Sequence, residues 1–192
     1  MCRLNEMMIE ILVDLARRTE PPPVGYTIVN PLRPRLRFFD APSRRRLAEL
    51  PFLLVDLALT DDAIWAQALQ PARLGVERPR RRSADEARSI TLARGVTLLA
   101  WHVVHSNMDG AAVHFGISQG VADRLRKADV LELDAAAMRI APLCCPRWAD
   151  RPSAWSYLLT KSGAETSPMR DQTVYGLQLL GSELLAMRSA LS

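Results

Sequence analysis

The chain has 192 residues, 48% hydrophobic and 24% charged, with a net charge of +4. That length allows one large domain or two small ones with a real core, and the balance excludes a disordered chain. Three cysteines, Cys2, Cys144 and Cys145, are too few for a disulfide-stapled scaffold, and no apolar run reaches the roughly 18–20 residues of a membrane helix.

Residues 3–18 carry Leu4, Met8, Ile11 and Leu15 on one helical stripe, widened by Met7 and Leu12. Asn5, Glu6, Asp14 and Arg17 are read as its polar side. Glu6 and Glu10 lie within this apolar stretch, so no signal peptide is expected and the chain reads as cytoplasmic. Pro21–Pro23 end the helix. Tyr26 to Val29 is β-prone, but Pro31 and Pro34 exclude an inner strand, which predicts a minor extended segment near 24–39. In an extended chain Arg33, Arg35 and Arg37 would share one side. Arg44, Arg45 and Arg46 open a helix running to about Leu50, residues 52–59 read as buried core, and 60–62 cap a short helix with Trp65 and Leu69.

Residues 77–85 have no apolar face and hold Arg78, Arg80, Arg81 and Arg82, the composition of a solvated linker. It would divide an N-terminal domain, 1–76, from a second, 86–192. A long helix from Asp85 to about Ser106 shows a broad apolar face through Ile90, Ala93, Val96, Ala100 and Val104. Asp109 is placed to cap a short helix, Gly116 to turn the chain and Ser118 to cap the next, the spacing of a helix-turn-helix. Asp129 and Glu132 form a capping-box pattern, with Leu131, Leu133 and Met138 expected inward, and Pro142 ends that helix. Residues 143–148 read as a turn or short extended piece, and Asp150 as the cap of a helix bearing Trp155. After a Ser167–Pro168 start, Leu177, Leu180, Leu184, Met187 and Leu191 recur with the 3-4-3-4 spacing of a short coiled-coil seam. That stripe serves either its own domain or a subunit contact.

Catalytic constellations are scarce. No phosphate loop, nucleophile elbow or His-Glu-x-x-His occurs, and His102 with His105 and the adjacent Cys144 and Cys145 do not make a zinc pattern. We expect no enzyme, cofactor or metal. Up to Arg82 there are fourteen Lys/Arg against ten Asp/Glu, and from Ser83 onward eleven of each. The helix-turn-helix pattern thus lies in a neutral half, where Gln119, Arg124, Arg126 and Lys127 are its candidate contacts. The arginines at 33–46 and 80–82 are the stronger electrostatic candidates for phosphate.

Between Leu98 and Cys144, the order Ala100, Gly116-Ile117, Ala122, Leu125, Ala137 and Cys144, with Leu133 apolar, resembles the FlhD family of flagellar transcriptional activator subunits. The match covers about a quarter of the chain; residues 1–85 and the tail beyond Cys144 depart from it. The resemblance implies an all-α protein that dimerises through this core and acts with a zinc-binding FlhC-like partner on promoter DNA. It also puts Cys144 at a position that can link subunits. The expectation is therefore an all-α helical bundle serving as a dimeric transcriptional regulator subunit that binds DNA. The alternative is a protein–protein adaptor that makes no DNA contact.

Overall fold

The protein is described from a computed structural model, covering residues 1–70, 83–163 and 169–190, with the side chains of 108, 109, 112, 113, 184 and 187–190 outside the description. In chain order it forms α1 (Cys2–Arg17), a 3-10 turn (Val24–Tyr26), α2 (Val29–Arg37), α3 (Ala41–Ala48), strand β1 (Val55–Asp56) and α4 (Asp62–Ala68). These are followed by α5 (Ala84–Ser106), α6 (Met108–Phe115), α7 (Gln119–Lys127), α8 (Val130–Ile140), a 3-10 turn (Ala141–Leu143), strand β2 (Cys145–Pro146), α9 (Pro152–Gly163) and α10 (Met169–Ala190). The fold class is all-α, with one two-residue antiparallel pairing, Val55 with Pro146 and Asp56 with Cys145.

The extended structure is there, but not near 24–39. That stretch is the 3-10 turn and α2, with Val29, Leu32 and Leu36 buried at helical spacing. Pro31 stands in the first turn, where a missing N–H removes nothing from the helix, and Pro34 sits on the exposed side of a helix too short to be broken by it.

Two compact units result, and the first is built from both ends of the chain. One comprises Met1–Asp56 with Cys145–Ala190, the other Leu57–Cys144. The chain leaves the first unit at β1 and rejoins it at β2, so these strands pair the two crossing points. The expected boundary at 77–85 differs from this division, and most of it, including Arg80, Arg81 and Arg82, lies outside the described residues.

In the first unit α1 packs on α2 and α3, and α9 on α2 and α3. Its core holds Met8, Ile9, Leu12, Leu36, Leu47, Phe52 and Trp155, whose indole N–H donates to the Arg147 carbonyl at 2.6 Å. The buried stripe of α1 is rotated from the expected one and includes Asn5, which is fully enclosed. α9 begins at Pro152 rather than on a cap from Asp150, whose carboxylate is exposed and lies 3.8 Å from the Arg151 guanidinium.

In the second unit α5 is central, as its broad apolar face predicts, packing against α6, α7 and α8 while α4 packs on α7 and α8. Local chemistry sets the ends. Asp61, Ser83, Ser118 and Asp129 each accept a backbone N–H at the start of α4, α5, α7 and α8, and Asp129 with Glu132 completes the capping box. Asn107 performs the task expected of Asp109: its Oδ1 accepts from the Gly110 N–H at 2.9 Å. Leu133 is buried as expected, whereas Leu131 is 81% exposed because it falls on the opposite side of α8.

Candidate nucleic-acid interface

The corner between α6 and α7 is built as the sequence implies. Gly116 has φ of 59°, a left-handed conformation that glycine reaches without Cβ strain. Ala111, Phe115 and Ile117 on one side and Val121, Ala122 and Leu125 on the other are buried. Ser118 fixes the start of α7 three ways: its N–H donates to the Leu59 carbonyl at 3.0 Å, its Oγ accepts from Val121 N at 3.1 Å, and its Oγ donates to Asp62 Oδ1 at 2.6 Å.

That last bond decides what α7 can offer a ligand. Asp62 lies so close that a Cβ added at Gly120 would sit 1.8 Å from its Oδ2. A carboxylate of the protein therefore already answers the positive end of α7, where a phosphate would otherwise bind. Gln119 is also engaged, donating to Asp123 Oδ1 at 3.1 Å. The opposite end differs: Arg124, Arg126 and Lys127 are exposed in the last turn and make no hydrogen bond or ion pair among the described residues.

The arginines of the first unit redistribute just as sharply. Arg33 donates to the carbonyls of Leu15, Ala16, Arg18 and Glu20, closing the C-terminal end of α1. Arg35 reaches the Ser156 carbonyl and the hydroxyls of Ser156 and Thr160 on α9. Arg44 donates to the Phe39 carbonyl, and Arg46 to the Ser162 carbonyl near the end of α9. In the second unit Arg139 does the same for Ala68 and Gln70 beyond α4. Guanidinium groups suit this task, since their several donors bind carbonyls left over at helix ends and their charge opposes the negative pole. Of the six arginines at 33–46, only Arg37 and Arg45 are exposed without such a bond among the described residues. Because 33–37 is helical, Arg35 does not share a face with Arg33 and Arg37.

Two clefts in the first unit follow this arrangement. One, about 640 Å³, is lined by Arg3, Arg44, Arg45 and Arg46 together with Glu6, Glu10 and Glu49, a mixed surface. The other, about 380 Å³, lies beside Arg18, Asn30, Arg33 and Arg37, of which Arg33 already faces carbonyls at the end of α1. Among the described residues no group of three His, Cys, Asp or Glu is placed to hold a metal, and no helix is long and apolar enough to cross a membrane.

The expected subunit-contact residues separate. Leu180 is buried in its own unit and Leu177 is half exposed, so they do not form one outward seam, while the side chains of Leu184 and Met187 and all of Leu191 lie outside the described residues. Cys144 is buried, which opposes a role in linking subunits, and burial beside Asp56 pushes the Cys145 thiol up to about 12. Only the thiolate attacks, so at pH 8 an alkylating reagent should label Cys2 rapidly and the other two only as fast as the chain unfolds. Quantitative mass spectrometry that finds two or three rapidly labelled thiols would contradict this arrangement.

Sequence reasoning found α7 and its basic turn but missed Asp62, which arrives from 56 residues upstream of Ser118. It also missed the capping role of the arginines, for which a sequence gives no signal beyond their number. No protein-family model, curated protein or solved structure matches the chain.

Proposed function

We propose that the chain is a transcriptional regulator subunit of FlhD-like type that grips DNA phosphates through the last turn of α7 and leaves the choice of sequence to a partner subunit. The observation supporting this is the exposed trio Arg124, Arg126 and Lys127 on a helix held by the Gly116 corner. The carboxylate at the other end of α7 argues against base reading by its first turn. Three phosphate contacts give a slope of about −3 in log K against log salt, so affinity for mixed-sequence duplex should fall roughly 40-fold between 50 and 200 mM salt.

Replacing Arg124, Arg126 and Lys127 together with alanine should abolish most of that salt-dependent binding, measured by fluorescence anisotropy, while the helical circular dichroism is unchanged. Equal affinity in the variant, or no binding by the wild type at 50 mM salt, sinks the reading. One observation favours an adaptor instead. Leu98 on α5 and Val130 and Leu131 on α8 are exposed, and they lie between the Arg94–Asp134 ion pair and the Trp101 indole bond to the Ala128 carbonyl. Under that reading DNA binding is absent and Leu98→Glu with Leu131→Glu removes capture of a partner protein.

A further inference from the structure

α10 is folded with its polarity inverted. Toward the first unit it turns Gln172, Gly176 and Leu180, all buried, and Glu183, which pairs with Arg147 at 2.8 Å. The backbone sits directly on a core ring: a Cβ added at Gly176 would lie 2.1 Å from Phe52 Cζ. Away from the unit it turns Val174, Leu177 and Leu185, which are 47%, 37% and 65% exposed. Gly181 lies between them, where a Cβ would meet nothing within 4 Å. Spacings of three, four and four residues put these positions on one face, opposite the buried stripe. From Gln172 to Ser182 the helix has no charged residue. A surface helix that encloses polar groups and presents leucines outward has the pattern of one covered on both sides.

We propose that the outer cover is a second copy of this chain, its α10 lying antiparallel to the first across a two-fold axis. The stripe complements itself in that direction. Val174 falls opposite Leu185 of the second copy, and Leu177 enters the space left at Gly181. A parallel pair stacks Asp171 on Asp171 and leaves a gap where Gly181 meets Gly181. Charge and shape therefore both select the antiparallel direction, independently of any contact with DNA.

Sedimentation velocity on the full chain should show a dimer at tens of micromolar, and Val174→Glu with Leu185→Glu should return it to monomer, with an unfolding midpoint equal to that of the wild type diluted until it is monomeric. In a Cys2→Ser background, Val174→Cys mixed with Leu185→Cys should yield an oxidised heterodimer, whereas Val174→Cys alone should not cross-link. A monomeric wild type, a dimer that survives both glutamates, or efficient cross-linking of Val174→Cys to itself overturns the proposal.

Discussion

Asn5→Leu is expected to destabilise the chain by about 3–5 kcal/mol, read as a fall in the urea midpoint at unchanged slope. Asn5 is fully buried on α1. Its Nδ2 donates to the carbonyls of Ala48 at 3.2 Å and Phe52 at 3.0 Å, and its Oδ1 accepts from Leu54 N at 2.9 Å. One side chain thus satisfies three backbone groups of the segment leading from α3 to β1. Leucine fills similar space yet leaves all three unpaired, at about 1–3 kcal/mol for each buried group, offset in part by its own apolar burial. Asn5→Asp separates the terms. Its carboxylate would accept from Leu54 N but face two carbonyl oxygens, so its folded pKa must rise above the unfolded value. That variant should recover stability as pH falls toward 4 and lose it as pH rises. A cost below about 1 kcal/mol for Asn5→Leu would mean that the segment finds other partners.

Asn5 also shows where the sequence stops being legible. Its position on α1 is equally compatible with the polar side or with the core, because periodicity weighs asparagine as polar wherever its partners are. What makes it internal is a segment some 50 residues away, and no local pattern encodes that. The prolines mislead in the opposite sense. Val29, Leu32 and Leu36 carry a helical period that can be read, but Pro31 and Pro34 are stronger local signals and argue for extension; tertiary packing of those three side chains prevails. Several caps are legible because they are local: Ser118 and Asp129 act within three residues as read, whereas Asn107 takes the place of Asp109 and α9 starts at Pro152 rather than on a cap from Asp150. The Gly116 corner is local and legible too.

Arginine was the least legible residue type. A cluster at 33–46 on a basic half suggests phosphate, and four of the six guanidinium groups instead serve carbonyls or hydroxyls within the first unit. The number of arginines says nothing of how many are spare. This leaves the shorter basic turn of α7 as the proposed grip on DNA, with a salt slope suited to three cations. The division into units was likewise hidden. Chain continuity suggests two successive domains, while the pairing of β1 with β2 joins residues 89 and 91 positions apart.

Arg147→Met should cost about 2–4 kcal/mol, the second large effect, because it strands a carboxylate that α10 turns inward. Arg147 is buried, lies 5.7 Å from the Trp148 ring centroid and holds Glu183 at 2.8 Å. Glu183 keeps some exposure, so water recovers part of the loss and the cost stays below that of a sealed pair. Arg147→Met combined with Glu183→Leu should lie within about 1 kcal/mol of the wild type, since neither partner then needs compensation. A double variant no more stable than the single one would show that the ion pair does not couple the two residues. The cycle also bears on the inverted helix. If Arg147 and Glu183 hold the inner side of α10, Arg147→Met should weaken association of two copies along with stability. Val174→Glu acts on the outer face alone, so it should weaken association with the stability of the monomer intact.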